Sequence, residues 1–152
     1  MARTTSARIR AAGALALACL AMTGCGQQGL HAKAMHGSVT CGGEKVPLGQ
    51  VSFVPIEGTP GPTTTALIVD GRYRVERGGG VPLGKHRVEV DVRKKTGRKV
   101  KGFNGLEPAM IDEVIRVGPE VYAGGQSPLV VEVRSDSDGQ FDITLPSGKG
   151  KP

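Results

Sequence analysis

From Lys85 to Val92 the chain alternates without a break. His86, Val88, Val90 and Val92 fall on one side, and Lys85, Arg87, Glu89 and Asp91 on the other. Only extended backbone places residues two apart on the same face, so this stretch is a strand with one apolar side and one charged side. A helix of the same residues would scatter its four charges around the circumference. The apolar side needs a second layer to cover it, and 24 Gly and 10 Pro in 152 residues supply turns for a chain made mainly of such strands. With five aromatics and no Trp, most of the core falls to Val, Ile and Leu.

The same period recurs along the chain. Val39 and Cys41 alternate with Ser38 and Thr40, which predicts Cys41 as a small buried residue beside Val39. Gly42-Gly43 then turns the chain toward Val46-Pro47-Leu48, and Val51 and Phe53 alternate up to Pro55. Thr63 to Val69 is rich in strand formers and runs into Asp70-Gly71, a strong hairpin cue, with Tyr73 and Val75 beyond it. Gly78-Gly79-Gly80 reads as a loop leading into the strand that opens at Lys85. Leu129, Val131 and Val133 are expected to pair with Phe141, Ile143 and Leu145 across an Asp136–Gly139 turn, as a terminal hairpin. Between Arg93 and Ser127 the pattern weakens. Met110, Val114 and Val117, with Ile111 and Ile115, follow helical spacing between Pro108 and Gly118-Pro119, which predicts either a short rim helix over 108–117 or an irregular strand. About seven strands in two antiparallel layers, an all-β sandwich, is the expected fold.

The first 25 residues follow a different plan. Arg3, Arg8 and Arg10 precede the apolar run from Ala11 to Thr23, and Gly24-Cys25 closes it. Thirteen helical residues reach about 20 Å, short of the roughly 30 Å of a bilayer core, so the segment reads as an export signal rather than a membrane span. Met22-Thr23-Gly24-Cys25 resembles the bacterial lipobox. The resemblance implies removal of residues 1–24 and a diacylglycerol thioether on Cys25. Each buried methylene contributes about 0.8 kcal/mol, so two or three chains would hold the protein on a membrane. Gly26 after the cysteine implies, by the same resemblance, passage to an outer membrane. Cys19 leaves with the signal and Cys25 carries lipid, so Cys41 has no partner within the chain. The expected organisation is a signal over 1–24, a lipidated tether over 25–35, the sandwich over 36–145 and a disordered tail over 146–152.

Charge excludes one class of partner. The whole chain is +6, but without residues 1–24 it holds 17 basic and 14 acidic residues, too even a balance for a nucleic-acid-binding field. The positive charge is concentrated in Arg93, Lys94, Lys95, Arg98, Lys99 and Lys101, six cations in nine residues. Read plainly, the run is a solvated hairpin loop. At a cell envelope the same residues would form an interaction loop for anionic lipid headgroups, polysaccharide or an acidic protein, with Phe103 as a loop anchor or an insertion residue.

Seven segments in order carry a further resemblance: Gly37-Ser38-Val39, Gly43 to Leu48, Val51 to Pro55, Asp70-Gly71-Arg72-Tyr73, Gly80 to Val88, Pro119 to Tyr122, and Ser127-Pro128-Leu129 through Phe141-Asp142-Ile143. Together they resemble bacterial lipoproteins with a carboxypeptidase regulatory-like domain, of transthyretin-like (prealbumin-like) fold. His86 stands where that pattern usually has an aromatic. The resemblance implies a fold and an address rather than a reaction. Related sandwiches include hydroxyisourate hydrolases, which need a Tyr-Arg-Gly-Ser carboxyl terminus, and intradiol dioxygenases, which hold iron with two Tyr and a His-x-His pair; neither motif occurs here. His31, His36 and His86 have no metal-ligand spacing, and no Gly-x-Ser-x-Gly is present. No catalytic residue, metal or cofactor is therefore expected. The sequence points to a lipid-anchored, non-enzymatic structural or interaction module at the cell envelope, with a carbohydrate-binding module as the alternative.

Overall fold

The computed structural model describes residues 31–148, so the predicted signal, Cys25 and residues 149–152 lie outside the described residues. Eleven strands run in chain order: β1 (Ala32–Lys33), β2 (Met35–Cys41), β3 (Glu44–Lys45), β4 (Leu48–Pro55), β5 (Thr64–Val69), β6 (Arg72–Val75), β7 (Val81–Pro82), β8 (Gly84–Asn104), β9 (Glu107–Arg116), β10 (Val130–Val133) and β11 (Ile143–Leu145). Short 3-10 turns occupy Arg77–Gly79 and Glu120–Ala123. The protein is all-β, and its main path has seven strands in the order β10-β8-β4-β5-β6-β2-β11.

The path bends over between β5 and β6, where only Ile68↔Tyr73 and Val69↔Arg72 pair. Asp70 and Gly71 form the turn with φ of 48° and 76°, the two positive values that a tight hairpin with native strand twist requires. On either side of the bend each strand buries alternate residues. Val51 and Phe53 of β4, Ala66 and Ile68 of β5, Tyr73 and Val75 of β6, and Val88, Val90 and Val92 of β8 all enter one core. Phe53 and Tyr73, from opposite sides of the bend, meet with ring centroids 5.9 Å apart and planes inclined at 47°.

Several expectations are corrected. The terminal hairpin does not form: β10 pairs with Gly84–Arg87 of β8, while β11 lies parallel to Val39–Cys41 of β2. Residues 134–140 carry the chain from one sheet edge to the other, with Ser137 Oγ donating to the Arg134 carbonyl at 2.9 Å. The sandwich is therefore antiparallel except at this closing strand. Of the two readings of 108–117 the strand holds and the rim helix does not, because Glu107–Arg116 is strand β9. The domain also begins before residue 36, since β1 pairs with β7 and Met35 is buried. Of the expected tail, Pro146–Gly148 are placed: Ser147 lies against Gly42, and Gly148 against Val117 and Gly118. Cys41 is half-buried rather than buried, with Sγ 3.3 Å from the Pro146 carbonyl oxygen.

His86 fills a core position and is fully buried. Its Nδ1 lies 3.1 Å from the Gly84 carbonyl, and Nε2 has no hydrogen-bond partner. Burial lowers its pKa from the ordinary 6.5, so the folded protein holds the ring neutral at pH values where the unfolded chain protonates it. Both forms are neutral above about pH 6.5, and below that value the unfolded state binds the extra proton, so stability declines toward acid by up to about 1.4 kcal/mol per pH unit. His86→Phe should remove this part of the slope without lowering the urea midpoint at pH 7.5, because it also removes the orphaned nitrogen. Urea midpoints at pH 7.5 and 5 for both chains check this, and equal slopes would refute it.

Candidate interaction surface

Strand β8 outruns its neighbour. Its pairing with β4 ends at Arg93, and from Lys94 onward its partner is β9 alone, as far as Asn104↔Glu107. A two-stranded arm therefore projects from the sandwich, about 30 Å long at roughly 3.3 Å per residue. Gly105-Leu106 makes the two-residue turn at its tip, with φ of 70° at Gly105. The basic run, expected as a loop, is the outward strand of this arm. β9 is hard to read from sequence because the ribbon buries neither face: Met110 and Val114 lie on one side, Ile111 and Ile115 on the other, which imitates helical spacing.

Four of the six cations have acidic partners. Lys95 and Lys99 both reach Asp112, at 2.9 and 2.5 Å, and hold its carboxyl down to about 2 through the hydrogen bonds they donate, Lys99 first. Pairing breaks register between Lys95 and Lys99, where β8 carries extra residues. Glu113 spans this irregularity, accepting from Thr96 Oγ1 at 2.6 Å, Arg98 Nε at 2.9 Å and Arg98 Nη2 at 3.1 Å. The Thr96 bond chiefly, with Arg98 behind it, depresses the Glu113 pKa. At the base, Asp91 receives Arg93 Nε and Arg116 Nε, each at 2.7 Å. Burial pushes the Asp91 carboxyl up, but the hydrogen bonds from Arg116 and Arg93 leave it below the ordinary carboxylate range. Among the described residues, Lys94 and Lys101 have no acidic partner within salt-bridge distance. Over 93–116 the arm has seven basic and three acidic residues. Its paired charges hold the ribbon's shape and leave a net +4.

The tip is apolar. Leu106 is 96% exposed, Phe103 68% and Met110 57%. Phe103 stands opposite Pro108, and Met110 opposite Lys101, on one side of the ribbon. Sequence reasoning singled out Phe103, read Met110 as part of a helical pattern and missed Leu106. The available signal was Asn104-Gly105, a turn dipeptide following a strand-like run.

The other candidate residues stay apart. His31 precedes β1, His36 is exposed on β2 and His86 is buried in β8. Among the described residues no three His, Cys, Asp or Glu side chains are grouped as metal ligands would be. An open groove of about 980 Å³ lies where β5 and β6 part, lined by Thr65, Leu67, Tyr73, Arg74 and Asp142 among others. Its carboxylate serves the scaffold: Asp142 accepts from Ser38 N at 2.7 Å and Ser38 Oγ at 2.8 Å, and the backbone bond is the main cause of its lowered pKa. Of the five aromatics, Phe53 and Tyr73 are buried and Tyr122 and Phe141 pack partly against the core, which leaves Phe103 as the exposed ring. Among the described residues no helix is long and apolar enough to cross a membrane. No family model, curated protein or solved structure matches the chain.

Proposed function

We propose that this chain is a lipid-anchored protein of the bacterial cell envelope. Cys25 carries the lipid, and a transthyretin-like sandwich displays the β8–β9 arm as a non-enzymatic contact surface. The observation that carries the reading is the arm itself. A ribbon with a net charge of +4, an ion-paired shaft and three exposed apolar side chains at its end contributes little to the core, and an isolated two-stranded hairpin is only marginally stable in water. Such a feature is accounted for by what it touches. The anchor is supported by the basic region, the short apolar run and Gly24-Cys25.

Mass spectrometry of the native amino terminus tests the address. The expected result is a chain beginning at an acylated Cys25. In fractionated cells, Cys25→Ala should move the protein from the membrane pellet or leave its precursor uncut. A native chain without lipid would overturn the anchor.

A further inference from the structure

The arm's composition fits one kind of partner. Apolar side chains occupy its end, where a hairpin turn in water ordinarily places polar ones, and Leu106 is almost wholly exposed. Lys99 and Lys101 lie within a few residues of Phe103, and Lys101 has no acidic partner among the described residues. Of the arm's three acidic side chains, Asp112 is occupied by two lysines and Glu113 by Thr96 and Arg98, while Glu107 is exposed beside the turn. The surface offered outward is thus three apolar side chains with one carboxylate beside the turn, backed by a cationic collar, and the arm's net charge stays positive. An anionic bilayer matches it in depth order, with acyl chains below and phosphates above. A second copy of the arm does not, since two ribbons of +4 would repel on close approach.

We propose that the β8–β9 arm inserts its tip, Phe103, Leu106 and Met110, into the interface of an anionic phospholipid bilayer, with Lys99 and Lys101 at the level of the phosphates. The tip enters about 5–10 Å, the depth of the headgroup–acyl boundary. Three apolar side chains alone give weak, reversible binding, and the cations make that binding depend on lipid charge. This inference rests on the envelope reading, which places such a surface within reach. Joined to the Cys25 anchor, the arm would be a second point of attachment that fixes the orientation of the sandwich over the membrane. With the protein already anchored, insertion of the arm becomes an intramolecular step, so a weak contact suffices to populate it.

The chain has no Trp, so Leu106→Trp in the full-length protein gives a single reporter at the tip. Leu67→Trp, at another exposed position on β5, serves as control. Each protein is mixed with vesicles of phosphatidylcholine containing roughly 30% phosphatidylglycerol, whose negative surface attracts basic residues, and then with the same vesicles made from lipid brominated high on the acyl chain. The expected result for Leu106→Trp is a blue shift and an about twofold loss of indole emission on brominated anionic vesicles, with the emission of Leu67→Trp unchanged. Lys101→Gln in the Leu106→Trp background should weaken the partitioning of the tip about fivefold, as one interfacial cation is worth. Flotation of the same samples reports attachment by the anchor separately. A Leu106→Trp protein that floats while its indole stays in water overturns the insertion and leaves the anchor standing. Quenching of the tip reporter that persists when Cys25→Ala is added supports insertion whatever becomes of the anchor. Equal quenching on vesicles of phosphatidylcholine alone, or a blue shift without vesicles that grows with protein concentration, overturns it, the latter in favour of self-association.

Discussion

Phe53→Ala should destabilise the domain by about 3–5 kcal/mol, the range for removing a large aromatic from a filled core. The site cannot readily collapse. Phe53 is fully buried in β4, with β5 on one side and β8 on the other, and its register partners are Thr64 and Val88. Across the bend its ring meets Tyr73, so the truncation removes the largest fully buried side chain and its contact with the other half of the sheet. Domains of this size are stable by about 5–15 kcal/mol in total, so the variant should lose a large fraction of the domain's stability. Urea unfolding followed by far-ultraviolet circular dichroism measures the loss. The comparison that gives it meaning is Phe103→Ala: the same side chain, exposed on the arm, should change stability by less than about 0.5 kcal/mol. Equal losses at the two positions would mean that the arm packs as core.

The second large effect is expected at Gly37, which has no unusual backbone angle and owes its importance to what lies above it. A Cβ there would overlap the Phe141 carbonyl oxygen and stand 2.7 Å from its carbon and 3.1 Å from Tyr73 Cε1. That carbonyl cannot easily retreat. The Phe141 amide donates to the His36 carbonyl at 2.9 Å, and Tyr73 Oη donates to the Phe141 oxygen at 2.8 Å. Gly37→Ala should therefore push the approach to β11 off β2, at about 1–3 kcal/mol for overpacking, with a further 1–3 kcal/mol, roughly, if the Tyr73 bond is lost. Tyr73→Phe alone should lose only the smaller part. The double variant should lose less than the sum, because both substitutions act on one contact. Burial, then the nearby Asp142 charge, holds the Tyr73 phenol protonated well above its ordinary 10. Near-ultraviolet titration should accordingly show the Tyr73 phenol ionising only as the wild-type fold opens, and earlier in Gly37→Ala. Full additivity in the double variant would separate the two effects and refute the shared contact.

What could be read from the sequence followed from whether one face of a segment is buried. His86, Val88, Val90 and Val92 alternate because β8 lies over the core there, and Asp70-Gly71 announces its hairpin because few other residue pairs accept two positive φ values. Beyond Arg93 the same strand continues without a core beneath it, and the alternation ends although the backbone does not change. Val, Ile and Met on both sides of β9 then look helical. The terminal strands failed for another reason. Leu129, Val131 and Val133, like Phe141, Ile143 and Leu145, show which way each strand faces, but facing is the same whichever neighbour supplies the hydrogen bonds. Pairing β11 with β2 depends on Gly37, Tyr73 and the Phe141 carbonyl converging, and no local window of sequence contains all three. The candidate site was half legible: its cations were conspicuous, while Asp112 and Glu113, the acids that neutralise Lys95, Arg98 and Lys99, stand more than ten positions away.

The parallel seam between Val39–Cys41 and Ile143–Leu145 joins residues 104 apart. Closing a loop of that length costs about 4 kcal/mol of chain entropy, and contacts of such long range slow folding. A nascent chain leaving the ribosome can make the Asp70-Gly71 hairpin early, but it cannot complete its core until translation has passed Leu145. Up to that moment the edge of β2 that receives β11 stays open, so the last strand to be made is the one that shuts the sheet.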